Sequence, residues 1–420
     1  MEQLTRTKLE SYTKDELIDY ILSEQKKNST TNTSTKKEKK NKRNQNEMNF
    51  DKFYKRYIAL KVAYIGWDYH GFAAQSSTEE TIEAYLFKAL QKTCLISDIK
   101  SANYSKSGRT DKGVSAFGQV ISLYVRSNLS EGAGTFIPPI SPSTDTTKNN
   151  NNNSSTNNNN MKNNQQKQLQ KKKEEFPFVK MLNGVLPPFI RVLAWAPIEF
   201  HFSARFSTLY RTYKYYFNPE GMDINLMKQA SKYYVGEHDF SNFCKMDPEN
   251  VKSFVRVVLS FEIEPQGVDS PLMVATIRGY AFLWHQIRCL MGMLFLIGQK
   301  KLPLSIVPDL LDLSKGVAKP PYEMASEVPL VLFDCGYEDL QFEYDITAQQ
   351  KLHNNFFQIW NDLLIKSSVV NLMKLEYQKL SNYTPSSNIN SDNNKNNSSP
   401  IPTTNDDNPR NLKKIKTDIN

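Results

Sequence analysis

The 420-residue chain is poor in the residues that mark several familiar chemistries. It has four cysteines, Cys94, Cys244, Cys289 and Cys335, and no two of them make a CxxC pair. A structural zinc site draws on such pairs, so that class is unsupported. The five histidines lack HExxH spacing, which sets a zinc hydrolase aside. There is no GxSxG elbow for a serine nucleophile, and no GxGxxG follows a strand to hold a dinucleotide. Gly108–Gly113 has the spacing of a phosphate-binding loop, but Val114 stands where the lysine belongs. No apolar run approaches the roughly 20 residues a membrane helix needs. The N-terminus carries charges every few residues, unlike a signal peptide. These absences predict a soluble protein of the nucleus or cytoplasm with reduced thiols and no membrane partner.

What is abundant is positive charge and aromatic surface. Lys and Arg number 53 against 44 Asp and Glu, a formal charge of +9, and there are 21 tyrosines and 23 phenylalanines. A basic balance suits a polyanionic partner, although part of the excess sits in Lys36–Arg43 (KKEKKNKR) and Lys413–Lys416. The first of these blocks reads as a nuclear import signal, an RNA-contacting arm or a solvated linker. Stretches 29–46, 141–173 and 385–420 are rich in Asn, Ser, Thr and Lys and bury too little to offset their ordering entropy. The expected plan is a mostly disordered basic extension over 1–50, half of a folded domain over 51–127, and a disordered Asn-rich insertion over 128–175. The second half covers 176–345, then a helix 346–380 and a disordered tail 381–420.

The chain is organised around residues 104–125, YSKSGRTDKGVSAFGQVISLYV. Two β-rich segments flank a polar loop that carries one carboxylate, Asp111, two residues after Arg109 and next to Lys112. Read alone, Asp-Lys-Gly is either turn chemistry or a held catalytic group. Alternation from Ile58 to Tyr64 predicts a strand. Ser77 with Glu80 has the form of a capping box, ahead of a helix with Ile82, Leu86, Ala89 and Leu90 on one face. Strands are expected over 99–106 and 117–125, then over 210–217, 254–263 and 272–282. A helix from Asp223 to Tyr234 and another over 283–298 complete a second strand–helix–strand–strand–helix series. A helix near 14–25 and a last one over 350–379, burying Phe356, Trp360, Leu363 and Leu364, are also expected. The fold class predicted is α+β. One Asp, several Arg and many aromatics suit a nucleobase held by stacking beside phosphates held by cations. Tyr213 reads either as such a platform or as a strand former. Arg288 reads either as a buried partner of an Asp or as a surface cation.

Five blocks resemble, in order, those of the TruA family of tRNA pseudouridine synthases. They are GRTDKGVSAFGQVISL from Gly108, LNGVLPP from Leu182, FSARFSTLYRTYKYYF from Phe202, AFLWHQIRCLMGML from Ala281 and PLVLFDCGY from Pro329. Trp284 and the run MASEVPLVLFDC resemble the eukaryotic enzymes that modify positions 38 and 39 of the anticodon arm. The resemblance implies a pseudouridine synthase fold: a mixed, mostly antiparallel sheet from two ferredoxin-like halves, flanked by helices, with a cleft between them. It makes Asp111 the catalytic carboxylate and Tyr213 the aromatic that packs on the target uracil. It pairs Arg288 with Asp111, gives Arg109 a hold on the flipped nucleotide, and makes Lys112 and Arg205 RNA contacts. It implies tRNA as partner and neither cofactor nor metal. A homodimer is implied for bacterial members and left open here, and a catalytically inactive tRNA-binding or RNA-folding protein is the alternative. Within the reaction, Tyr213 is a candidate to remove the final proton from the ring carbon.

Overall fold

The computed structural model describes residues 50–137, 173–245, 251–268 and 270–381. The helix expected over 14–25, the basic block Lys36–Arg43, the Asn-rich runs and the tail lie outside the described residues. The chain divides after Glu343 into two units.

The first unit opens with β1 (Lys55–Tyr64), which is buried along almost its whole length. A strand covered on both faces needs apolar residues on both, so strict alternation gives way to Ile58-Ala59-Leu60. The capping box is displaced: α1 (Ile82–Lys92) is capped by Thr81, whose side chain accepts the Ala84 amide. Glu80 serves the preceding turn instead, accepting the Tyr85 hydroxyl at 2.8 Å and, through its carbonyl, the His70 amide. Ile82, Leu86, Ala89 and Leu90 are buried, as the periodicity predicts. The strand expected over 99–106 is only β2 (Ser105–Lys106), because a 3-10 turn at Lys100–Ala102 and a left-handed Asn103 precede it. There follow β3 (Ser115–Arg126), β4 (Thr135–Phe136), α2 (Phe178–Asn183), β5 (Ile190–Pro197) and β6 (Tyr210–Phe217). Asp223 caps α3 (Ile224–Lys232) as expected, by accepting the Leu226 amide. Then come β7 (Gly236–Asp239), β8 (Val255–Pro265), β9 (Met273–Gly279), α4 (Gln286–Gly298), α5 (Ile306–Leu311) and β10 (Leu330–Gly336).

These ten strands form one mixed sheet in the order β4-β1-β3-β10-β6-β9-β8-β7, with β2 on β3 and β5 on β1. The arrangement is α+β. Among the strand pairs of the described residues, only β3 with β10 is parallel. That pair sets Ser115 opposite Val331, and β10 in turn sets Leu332 opposite Tyr213 on β6. Asp111, just ahead of β3, and Tyr213 are thereby brought to one region of the sheet. Helix α4 buries Ile287, Leu290, Met291, Met293, Leu294 and Ile297 in a core that also holds Tyr215, Phe217, Phe261 and Ile277. Each such side chain contributes about 1.5–3 kcal/mol, which anchors α4 and with it the loop at its start.

The second unit's described part is one long helix, α6 (Ile346–Ser381). The burial expected for it is overturned at three of the four positions: Trp360 is 55% exposed, and Leu363 and Leu364 are exposed too, while Phe356 is half-buried. Periodicity identifies residues that share a helical face, but it does not supply a partner for that face. Among the described residues no helix is long and apolar enough to cross a membrane.

Candidate active site

The loop between β2 and β3 is fastened at both ends. The Ser107 hydroxyl donates to Gln119 Oε1 at 2.8 Å, and Gln119 Nε2 donates to the Gly108 carbonyl at 2.7 Å. The Thr110 carbonyl accepts the Phe72 amide, and its hydroxyl lies 2.7 Å from that of buried Tyr64. The Gly113 amide donates to the Tyr69 carbonyl. Gly71 and Gly113 both have positive φ, at 92° and 80°. A Cβ on Gly71 would meet the Thr110 carbonyl at 3.0 Å, and one on Gly113 would meet Glu327 Cγ at 2.6 Å. Glycine is needed at both places because other residues resist that backbone and lack that room. The aromatic, glycine-bearing segment 66–75 therefore clamps the loop and fixes its carboxylate.

Each oxygen of Asp111 has one neighbour. The Trp284 indole donates to Oδ1 at 3.2 Å, and His285 Nε2 lies 3.5 Å from Oδ2. That second distance is a charge contact rather than a hydrogen bond. Both residues immediately precede α4, so the carboxylate lies beside that helix's first turn, where the dipole favours an anion. Burial raises the Asp111 pKa above the usual carboxylate value; His285, the Trp284 hydrogen bond and Arg288 oppose the rise, and Glu327 adds to it. The His285 pKa is lowered, first by burial and then by Arg288 and Lys245, against the pull of Asp111 and Glu327. Lys245 Nζ sits 4.4 Å over the Trp284 ring.

The expected Arg288–Asp111 pair is not formed. Arg288 Nη2 binds Glu327 Oε2 at 2.8 Å, and its Nε donates to the Ala325 carbonyl at 2.7 Å. Residues 323–327 run along α4, with the Glu323 carbonyl oxygen 2.6 Å from where a Cβ on Gly292 would be and the Ala325 amide donating to the Arg288 carbonyl, and they bring Glu327 to the guanidinium first. Arg288 still acts on Asp111 through its charge.

Two adjoining clefts open at this point, of about 570 and 480 Å³. Arg109, Asp111, Trp284 and His285 line both. Lys112, Arg288 and Glu327 line the first, while Lys106, Arg205, Arg211 and Phe282 line the second. Arg109, Lys112 and Arg205 are exposed and have no carboxylate partner among the described residues. Tyr213 lines neither cleft. It packs edge-on against Phe282, ring centroids 5.3 Å apart, and its phenol pKa is raised, first by burial.

Four residues of the site went unread in the sequence. His285 was weighed only as a zinc ligand, although it lies in the FLWHQIR block beside Arg288. Trp284 was noted for its subgroup and not as a donor to Asp111. Glu327 lies in a quoted block without a role. Arg211, two residues before Tyr213 on β6, holds the Ser107 carbonyl with Nε and Nη2 at 3.1 and 2.7 Å, steadying the start of the Asp111 loop.

Comparison with known proteins gives this constellation its class. Residues 230–338 match the family described as tRNA pseudouridine synthase, and the chain belongs to the TruA family of these tRNA-modifying isomerases. Within it, the chain is 39% identical over 357 residues to the Bos taurus tRNA pseudouridine(38/39) synthase, covering 83% of this chain and 69% of that protein. The Homo sapiens protein of the same name is 39% identical over 364 residues, covering 84% and 70%. The Saccharomyces cerevisiae one is 36% identical over 351 residues, covering 81% and 72%.

Proposed function

We propose that the chain isomerises uridine to pseudouridine in the anticodon arm of tRNA, at positions 38 and 39, with Asp111 as the catalytic carboxylate. The observation that carries this reading is the difference between the two carboxylates of the first cleft. Glu327 is committed to Arg288 at 2.8 Å, while Asp111 has only a long indole bond and a charge contact. Asp111 is the acid left to react. The names of the bovine, human and yeast relatives support the position.

The reaction breaks the bond between uracil N1 and ribose C1′, turns the base, and rejoins it through C5. One carboxylate suffices, as nucleophile or as stabiliser of developing positive charge on the sugar. The target base must first be turned out of its stack, at a cost of a few kcal/mol. Packing on the aromatic pair at the cleft, Phe282 with Tyr213 edge-on against it, returns about 1–3 kcal/mol. Arg109 holds the turned-out nucleotide, and Lys112 and Arg205 take neighbouring phosphates, which makes affinity salt-dependent.

Asp111→Asn tests the assignment. Conversion of purified tRNA should be abolished, with tRNA binding kept within a few fold. Pseudouridine formed by that variant would remove Asp111 from its role, and a wild-type protein that binds tRNA without forming pseudouridine would replace the reading by a binding-only one. Site mapping in the product tRNA checks positions 38 and 39.

A further inference from the structure

The loop between β5 and β6 presents an aromatic ring, Phe206, to solvent. We propose that Phe206, backed by Arg205, is a stacking platform for a nucleobase next to the target uridine along the tRNA strand. The inference rests on the reading of the two clefts as the tRNA site.

A lone apolar side chain on a surface is ordinary, and three observations set this one apart. The first is its degree of exposure. Phe206 is 81% exposed, more than any other aromatic side chain among the described residues. A ring held in water forgoes the gain of burial, so it adds nothing to the core.

The second is how firmly the backbone beneath it is held. Ala204 is buried; its amide donates to the Ser122 hydroxyl at 3.2 Å, and its carbonyl accepts the Tyr337 and Thr208 hydroxyls at 2.7 and 2.6 Å. The Arg205 amide donates to the Ser105 hydroxyl at 3.2 Å, and the Ser207 amide to the Ser203 carbonyl at 2.9 Å. A ring on a loose tip would lose freedom on binding, whereas one on a fastened loop is already in place.

The third is where it stands. The Arg205 guanidinium lies 5.1 Å from the Phe206 ring centroid and lines the second cleft, which sets the ring beside that cleft. Ties run from this loop to the Asp111 loop. Ser105, at the start of β2, meets the Ser203 hydroxyl at 3.0 Å. Arg211 Nη2 reaches the Arg205 carbonyl at 3.4 Å as well as the Ser107 carbonyl at 2.7 Å. The platform and the Asp111 carboxylate are thereby held in register.

The surrounding charge selects the occupant. Lys106, Arg109, Arg205 and Arg211 line the second cleft with one carboxylate, Asp111. Lys106 is paired with Glu83, which leaves three arginines against that acid. A cationic groove follows a phosphate backbone, and an exposed ring beside it takes the flat face of a base, whichever base it is. The guanidinium over Phe206 is itself planar and stacks on bases. Turning the target uridine out of its stack also strips its neighbours of a partner, and the platform holds one of them.

The test measures binding and turnover of the full-length protein with tRNAs that carry an abasic nucleotide at one or other position flanking the target uridine. Phe206→Ala should weaken binding of intact tRNA about 10-fold, within the range of one base-on-aromatic stack, and should raise KM more than it lowers kcat. Phe206→Trp should keep the wild-type affinity. Phe206→Leu, apolar but without a flat face, should behave as Phe206→Ala, with Tm unchanged in all three because the ring lies outside the core. Wild type should lose a similar factor with the abasic nucleotide at one flanking position, and Phe206→Ala should lose nothing further there, since ring and base are two halves of one contact. Phe206→Ala with wild-type affinity would overturn the proposal. So would losses that multiply at both flanking positions, because ring and base would then act independently. A wild type that converts tRNA while Phe206→Ala binds it equally well sinks the platform alone. A wild type that neither binds nor converts tRNA sinks the reading of the clefts as well, so the two failures are separable.

Discussion

Asp111 is held between influences of opposite sign, and the sequence shows only some of them. Burial and Glu327 raise its pKa, while His285, the Trp284 indole and Arg288 lower it. Two substitutions should therefore move its titration in opposite directions. Trp284→Phe keeps an aromatic ring and removes the donor to Oδ1. The carboxylate then loses a bond to its charged form, its pKa rises further, and the acid limb of kcat/KM moves to higher pH. Glu327→Gln removes a like charge and frees the Arg288 guanidinium to act on the cleft, so the limb moves to lower pH. The limb belongs to the Asp111–His285 pair rather than to either group, but the opposed signs come from Asp111. Shifts in the same direction in pH–rate profiles would show that the limb reports another group. Asp111, with Arg109 and Lys112 in its loop, and Arg288, inside an apolar helix, stand out in the sequence by their setting, whereas Arg205 comes forward only through the family resemblance. Arg288's partner was not legible, because sequence reveals that a charge needs company and not which distant loop provides it. His285 was overlooked because its approach to Asp111 exists only in the folded chain.

Among the elements, the best-read were those whose pattern is long and locally complete. The strand expected over 210–217 is β6 to the residue, and the buried face of α1 follows its periodicity. The misread ones are governed by distant contacts. Segment 76–81 carries a capping signature, but its residues are used to close the 66–75 clamp, and the cap passes to Thr81. The two-residue β2 is likewise placed by a contact no local pattern shows. Lys106 Nζ binds both oxygens of buried Glu83, at 2.6 and 2.9 Å, and Glu83 also accepts the Ala74 amide at 2.7 Å. Helix α1 thus ties segment 66–75, a wall of the first cleft, to β2, which borders the second. The Glu83 side chain is 4% exposed and that of Lys106 18%, so solvent screens the pair little. Glu83→Ala leaves a buried ammonium and a buried amide unpaired and should cost about 3–5 kcal/mol. Urea denaturation should show a lower midpoint at unchanged slope. Glu83→Leu combined with Lys106→Met should recover most of the loss, because an apolar pair of similar volume avoids the unmet charge. A Glu83→Ala protein within about 1 kcal/mol of wild type, the worth of an exposed pair, would mean that the bridge does not hold the loop.

For the molecule as a whole, the site depends on one joint. The order of two strand–helix series was legible, but their union was not: PLVLFDCGY was a recognised block without an assigned element, and it is β10, the strand that joins them. Its parallel contact with β3 is only two residue pairs long, Val331 with Ser115 and Leu332 with Ala116. A parallel pairing between residues far apart in sequence leaves no turn signature to read. On the β3 side of the joint lies Asp111. On the other lie Trp284, His285 and Arg288, carried by the start of α4. The separation between Asp111 and His285 is therefore set by how closely β3 and β10 approach. Gly118 in β3 controls that approach, since a Cβ there would stand 2.5 Å from the Phe333 carbonyl oxygen and 2.6 Å from Asp334 Cα. Those are backbone atoms of a paired strand and cannot swing aside as a side chain does. Gly118→Ala should cost about 1–3 kcal/mol, the usual penalty for overfilling a packed interior, and Gly118→Val more. Because the joint carries the Asp111–His285 separation, kcat should fall in Gly118→Ala even below the melting transition, and KM for tRNA should change less, since Arg109 and Lys112 move together on the Asp111 loop. Thermal unfolding and steady-state kinetics on the same preparation decide the matter. A Gly118→Ala enzyme with wild-type Tm and wild-type kcat would show that the strands can part there without disturbing the site, and that its geometry is set elsewhere.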